Sequence, residues 1–402
     1  MKILGIIVEY NPFHNGHLYH LEKSKEITGA DFCVGVMSGN YVQRGEPACI
    51  DKFTRAKMAL SCGVDVIIEL PTPFASSSAE FFAQGAIKIL DSINIVTDIC
   101  FGAETNNLDF LSKIADVLVN ESQSFSYNLQ NALCEGNSYP RARNIALEKH
   151  FKLDKFKDLL NSSNNILAIE YLKALKKMQS SITPHLIQRL HVDYNSDNII
   201  ENITSATNIR NLTKLGDFEV LKTIMPKASY DLFIDELSKN NGLRELNDFS
   251  DFLQYKLKTI SKSELVNISG MNEGIENRLL RCANESYYIT DILTKMKTKR
   301  YTHTALQRLI LHTVLGIGKD CLDNKLYARI LGFRSESKHL LKLITENSKI
   351  PVVTNVNDFI KKNDLSSCLQ DEIIWTDIYN LVSKNLDLRY SGQELTNGMI
   401  VV

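Results

Sequence analysis

One stretch near the start limits what this chain can fold into. From Ile7 to His20 it reads Ile-Val-Glu-Tyr-Asn-Pro-Phe-His-Asn-Gly-His-Leu-Tyr-His. The apolar run Ile3–Val8 feeds a short polar turn with Pro12. His14 and His17, three apart with Gly16 between them, then open an amphipathic segment. That is strand, turn and helix, with the histidine pair at the helix start. Such a turn aims main-chain N–H groups and the positive end of a helix dipole at whatever lies above it. Two imidazoles there donate to phosphate oxygens, so the stretch reads first as a nucleotide phosphate site. Zinc is the rival use of paired histidines. It needs a third and a fourth ligand, and no acidic or cysteine partner stands at a metal-like spacing nearby, so no metal site is assigned.

The next ninety residues repeat the alternation. Strand-like runs Asp31–Met37, Val64–Leu70 and Ile95–Phe101 are separated by helical patterns at Gly16–Ile27, Asp51–Cys62 and Ser78–Leu90. The first helix is expected to turn Leu18, Leu21 and Ile27 inward. Strands apolar on both faces and separated by helices predict an α/β fold with a parallel sheet covered on both sides. Ligands of such sheets bind beyond the carboxyl ends of the strands. His14, His17, Ser38–Arg44, Glu69–Pro73 and Gly102–Glu104 all fall there. Helical patterns follow at Asn107–Asn120, Asn128–His150 (interrupted by Pro140) and Ile166–Met178, then a short strand at Thr183–Leu190. Beyond about Leu215 the alternation stops and helical spacing dominates, with one short strand-like run at Ile350–Thr354. The expectation is two domains, 1–215 and a mainly α-helical 216–402.

Composition narrows the class without naming it. At 402 residues, 44% hydrophobic and 23% charged, the chain has the make-up of a globular protein with a sizeable core. A net charge of -1 gives no global signal for nucleic acid, so any such surface must be a local patch. The eight cysteines are scattered without a Cys-x-x-Cys pair, which favours a reducing compartment. No apolar stretch approaches 18 residues and the chain opens directly on a strand pattern, so neither a membrane span nor a signal peptide is expected. The expected location is the cytoplasm.

Further segments carry candidate chemistry. Ser38–Pro47 has two glycines, Asn40 and Arg44, which suits a loop over a ligand. Asp51, Lys52, Arg55 and Lys57 read as solvated charges at a helix start, with Asp51 and Arg55 pairing at i,i+4. Asn164 and Asn165 precede a helix, where one asparagine caps and the other is free to meet a ribose or a base edge. Ser205–Arg210 puts small hydroxyl residues before another helix with Arg210 one turn in, a second anion site opposite the histidines. Arg278, Arg281, Lys295, Lys297, Lys299, Arg300 and Arg308 interleave with Tyr287, Tyr288 and Tyr301, a pattern suited to RNA phosphates and stacked bases. Arg329, Arg334, Lys338, His339 and Lys342 are expected to extend that surface.

The motif Tyr10–His17 resembles the nucleotidylyltransferase superfamily. His14–His17 is similar to its His-x-Gly-His signature, and Ser205–Arg210 to its second block. The longer string, with Ser38-Gly39-Asn40, Glu69-Leu70-Pro71, Phe101–Glu104, Asn164–Leu167 and Glu170-Tyr171, resembles the tRNA(Met) cytidine acetate ligase family over nearly the whole chain. The resemblance implies a Rossmann-like nucleotidylyltransferase domain over 1–215, with a tRNA-binding helical domain after it. It also implies an ATP site formed by Ile7, Val8, Glu9, Tyr10, Asn11, Pro12, Phe13, His14, Asn15, Gly16, His17, Leu18, Tyr19 and His20, with Gly102, Asn165, Arg189 and Leu190. Ser163 stands where the family often has proline, and Leu-His-Val-Asp follows Arg189 without the glycine expected there.

The implied reaction activates acetate with ATP to acetyl-adenylate and pyrophosphate, then acetylates N4 of the wobble cytidine of elongator tRNA(Met). His14, His17 and Arg210 are the residues expected at the phosphates, with Mg²⁺ on the triphosphate and no dedicated protein cage. The alternative is a nucleotidylyltransferase acting on a phosphorylated cofactor precursor, and the third reading is an RNA-binding protein without ATP turnover. No residue of the sequence identifies itself as a base for the cytidine amine.

Overall fold

Strand β1 (Ile3–Val8) lies inside an eight-stranded sheet, apolar throughout because both its faces are covered. The computed structural model describes residues 1–152, 162–189, 199, 202–272, 274–323, 325–362 and 367–402. On one side β1 pairs in parallel with β2 (Phe32–Ser38). A separate hairpin, β3 (Tyr41–Val42) and β4 (Glu46–Pro47), follows β2 in the chain. Strand β5 (Val66–Leu70) lies beyond β2, again parallel. On the other side β1 pairs in parallel with β6 (Asp98–Ala103), and β7 (Thr183–Gln188) lies beyond it. Chain progress therefore reverses direction across the sheet between β1 and β6, and such a reversal opens a crevice at the carboxyl ends.

Alternation along the strands sorts the core into two layers. Ile3, Val34, Val36, Val66, Ile68, Ile99 and Phe101 pack on one face with the helices Ala79–Ser92, Leu108–Val119 and Ser163–Met178. Leu4, Ile6, Cys33, Met37, Ile67 and Cys100 pack on the other with the helices Asn15–Thr28, Lys52–Ser61 and Lys227–Asn240. Each large aliphatic side chain buried this way contributes roughly 1.5–3 kcal/mol.

Several expectations are corrected. Ile27 is 49% exposed; the first helix buries Leu21 as expected, and with it Ser24 and Thr28. The two hydroxyls donate to the carbonyls of His20 and Ser24, both at 2.7 Å, so the polar side chains lie buried with their hydrogen bonds made. Lys52 and Arg55 are not solvated. Arg55 is fully buried and donates to the carbonyls of Ile50, Glu9, Ser38 and Gly39, while Asp51 caps the helix through Phe53 and Thr54. Lys52 Nζ lies 2.6 Å from Glu69 and 2.8 Å from Glu394. Arg329 is likewise buried, paired with Glu394 and with its Nε 3.6 Å from Glu69, so it belongs to no RNA-facing surface.

Residues 216–402 are mainly helical, yet they complete the sheet of the first half. Strand β8 (Ala328–Phe333) pairs antiparallel with β5, and β9 (Val352–Val353) and β10 (Ile400–Val401) pair in parallel with β8. The run at Ile350–Thr354 thus holds a strand, and β8 is one the sequence pattern did not reveal. The helices from Ser250 to Leu315 have their own core, into which Tyr41 of the first half inserts, its hydroxyl donating to the carbonyl of Trp375 at 2.9 Å.

Candidate active site

Backbone geometry and side-chain caps shape the turn after β1. Tyr10 takes a left-handed backbone (φ 48°), the Asn11–Pro12 peptide is cis, and His14 caps the helix Asn15–Thr28. The histidines close a reciprocal capping box. Gly16 N donates to His14 Nδ1 at 3.1 Å, and His14 N donates to His17 Nδ1 at 3.3 Å. A Cβ on Gly16 would lie 2.9 Å from His14 Cε1, so a side chain there would dislodge the ring. Below the pair, Tyr10 and Phe13 pack at 4.6 Å between ring centroids, and Tyr10 meets His17 at 4.9 Å.

Neighbours hold the turn at several points. Asn11 Oδ1 accepts from Cys49 N at 2.7 Å. Asn15 Nδ2 donates to the carbonyls of Asn202 and Thr223, and Ser229 Oγ to that of Phe13.

Above the turn lies a cleft of about 260 Å³. Of the stretch Ile7–His20, it is lined by Ile7, Val8, Glu9, Tyr10, His14, Gly16, His17, Tyr19 and His20. Asn11, Pro12, Phe13, Asn15 and Leu18 are outside the lining and shape the turn beneath it. Gly102 from β6 and Arg189 after β7 join the wall, as do Ile203 and Thr204. Leu190 lies outside the described residues.

Asn165 is buried and outside the wall. Its Oδ1 accepts from Glu104 N at 3.0 Å and Thr105 N at 3.3 Å, bracing the end of β6. Its neighbour Asn164 lines the cleft, giving Nδ2 to Glu104 and accepting from Arg189 at its Oδ1. Arg210, a turn into the helix Ala206–Leu215, donates to the carbonyl of Asn11 at 2.8 Å and to Thr207 Oγ1 at 3.2 Å. Ser205 Oγ caps that helix by accepting from Asn208 N.

Phe82, Gln43 and Tyr171 also line the cleft, and no local spacing in the sequence marks them as lining residues, although the loop holding Gln43 and Arg44 fits the expectation of a loop over a ligand. Their shared wall exists only once β2, β6 and the helix Ser163–Met178 converge.

The electrostatics suit a polyanion. Burial, with the charges of Arg189 and Arg210, lowers the His14 pKa to about 3; burial and Arg189 take His20 to about 4, and His17 is lowered too, chiefly by burial. All three rings are neutral at pH 7. With Nδ1 of His14 and His17 accepting main-chain N–H groups, the proton of each neutral ring is assigned to Nε2. The pair, 3.8 Å apart between centroids, therefore has Nε2–H donors, alongside the positive end of the helix. Arg44 and Arg189 are cationic wall residues, and Glu9 is the one carboxylate among the described residues of the lining. No cluster of three or more His, Cys, Asp or Glu suited to a metal ion occurs among the described residues.

The loop of Gln43 and Arg44 ties this cleft to the helical half. Arg308, on the helix His303–Leu315, donates to the carbonyl of Gln43 at 3.3 Å, and Gln307 meets Glu46 at 3.3 Å. Arg308 is thus a brace of the cleft loop. Arg278 is half-buried and donates to the carbonyls of Lys295 and Met296 at 2.8 and 2.9 Å. Arg281, Lys295, Lys297, Lys299 and Arg300 are exposed. No helix among the described residues is long and apolar enough to cross a membrane.

A sheet with its reversal between β1 and β6, and a histidine-capped helix facing the crevice, define a nucleotide-binding α/β protein. The family model of the HIGH nucleotidyl transferases matches residues 1–394. A tRNA(Met) cytidine acetate ligase of Acetivibrio thermocellus is 45% identical over 417 aligned positions, covering all of both chains. One from Clostridium perfringens is 41% identical, over 96% of this chain and 97% of that one. Among solved structures, Thermotoga maritima TmcAL bound with alpha-thio ATP superimposes with a TM-score of 0.92 at 35% identity, and the apo form with 0.94 at 34%, each over the full length of both chains. The chain belongs to the HIGH nucleotidyl transferases and, within them, to the tRNA(Met) cytidine acetate ligase family.

Proposed function

We propose that this protein joins acetate to tRNA at the expense of ATP, forming acetyl-adenylate and then N4-acetylcytidine at the wobble position of elongator tRNA(Met). The observation that carries the reading is the neutral His14–His17 pair at a helix start beside the sheet's reversal, in a chain similar end to end to ligases of this name. An acetate oxygen attacks the α-phosphorus of ATP while pyrophosphate leaves opposite. A carboxylate needs no base to do this, so positioning and charge stabilisation dominate. The Nε2–H groups of His14 and His17, the helix-start amides, Arg44 and Arg189 supply donors and positive charge, with Arg210 close enough to depress His14. Mg²⁺ would ride on the triphosphate, because one lining carboxylate is too few for a protein cage. The exposed basic residues Arg281, Lys295, Lys297, Lys299 and Arg300 suit the tRNA backbone.

The rival, a cofactor nucleotidylyltransferase, leaves the helical half without a role, although the similarity to the ligases runs through that half. ATP–pyrophosphate exchange tests the reading. Exchange should depend on acetate; exchange indifferent to acetate overturns it.

A further inference from the structure

The transfer step needs something the activation step does not. A cytidine amine becomes an amide only by losing a proton, and its nitrogen is a weak nucleophile until that proton has somewhere to go. Among the described residues that line the cleft, the other candidates are poor acceptors. His14 and His17 already accept main-chain N–H groups at Nδ1, and the hydroxyl groups there are phenols, Ser163 and Thr204, all weak bases. Burial and Arg189 leave His20 a weak base, with its pKa lowered to about 4.

Glu9 stands apart from these. It follows β1 at the sheet's reversal, next to the histidine turn. Its Oε1 accepts from Gln43 N at 2.7 Å, which fixes the carboxylate, while Oε2 accepts no hydrogen bond from a described residue. The carbonyl of the same Gln43 accepts from Arg308 of the helical half. Glu9 therefore sits where the nucleotide side of the cleft meets the loop held by the half assigned to tRNA.

We infer, resting on the function proposed above, that Glu9 is the proton acceptor of the acetyl-transfer step. The N4 lone pair attacks the acetyl carbon and an N–C bond forms. The C–O bond to the adenylate phosphate breaks, and its electron pair leaves with AMP. One N4 proton moves to Glu9 Oε2 and then to water, and the other stays on the amide. The surroundings favour this role: burial raises the Glu9 pKa, Glu46 adds to the rise, and the Gln43 N–H, Arg44 and Arg55 oppose it. Tyr171 and the rings of His14, His17 and His20 share the same cleft.

The test compares both half-reactions in wild type and Glu9→Gln. Glutamine keeps an oxygen for the Gln43 N–H but takes no proton. Single-turnover acetylation of tRNA should fall on the order of 100-fold more than acetate-dependent pyrophosphate exchange does. The wild-type transfer rate should also decline as pH falls through the raised Glu9 pKa, and the variant should lack that limb. Equal losses in both half-reactions would make Glu9 a brace for the loop and overturn the inference, as would transfer at the wild-type rate. Wild type lacking acetate-dependent exchange would remove the proposed function first, and this inference with it.

Discussion

His14 and His17 stack 3.8 Å apart, each accepting one main-chain N–H at Nδ1, so two side chains cap a helix and serve as neutral donors at once. One consequence is measurable without substrate. The folded pKa of His14 is depressed to about 3 from an ordinary value of 6.5, and that of His20 to about 4. Above pH 6.5 both rings are neutral folded and unfolded, and their contribution to stability is fully present. As pH falls below 6.5 the unfolded chain takes up protons that the folded chain refuses, so stability is lost down to the folded pKa values. His14→Asn retains a capping side chain. Urea unfolding between pH 7 and 4 should show a shallower loss of stability in this variant than in wild type; identical slopes would contradict a buried neutral His14.

His17→Ala removes one donor from the phosphate side. Acetyl-adenylate formation should drop about 100-fold or more, as when one transition-state donor is lost elsewhere. Pyrophosphate exchange measures it, and near-normal exchange would take His17 out of that role.

Lys52 joins the two halves through Glu69 and Glu394. Lys52→Met leaves two buried carboxylates facing each other beside Arg329 alone. Breaking such a cluster from one side costs about 3–5 kcal/mol. Chemical denaturation should show that loss, and a change under about 1 kcal/mol would mean that the cluster relaxes with water.

Gly45 holds the cleft loop against the helical half. Its φ is +82°, and a Cβ there would lie 2.5 Å from Arg308 N. Gly45→Ala carries roughly 1–2 kcal/mol for the left-handed backbone alone, and the collision must also shift Gln43 and Arg44. Weaker ATP binding should accompany the lower stability in a calorimetric titration. Unchanged affinity would separate the loop from the nucleotide.

The parts of this architecture set by local pattern were legible in the sequence. β1, β2, β5 and β6 announce themselves as apolar runs because both faces are covered, and the histidine turn because all its residues lie within ten positions. β8 is masked by Arg329, a buried charge near the start of the strand that is tolerable only beside Glu69 and Glu394. Lys52 looked solvated because its partner Glu394 is 342 positions away. That Arg278 and Arg308 brace main-chain carbonyls is not legible in spacing, since those carbonyls belong to neighbouring elements.

The central claim, that this cleft charges acetate for delivery to a cytidine, is tested most directly by product analysis. The protein is incubated with ATP, labelled acetate and total tRNA, and the tRNA is digested to nucleosides. Label should appear in N4-acetylcytidine, only with ATP present, and from elongator tRNA(Met). ATP binding without labelled N4-acetylcytidine would contradict the account and favour adenylyl transfer to a phosphorylated small molecule.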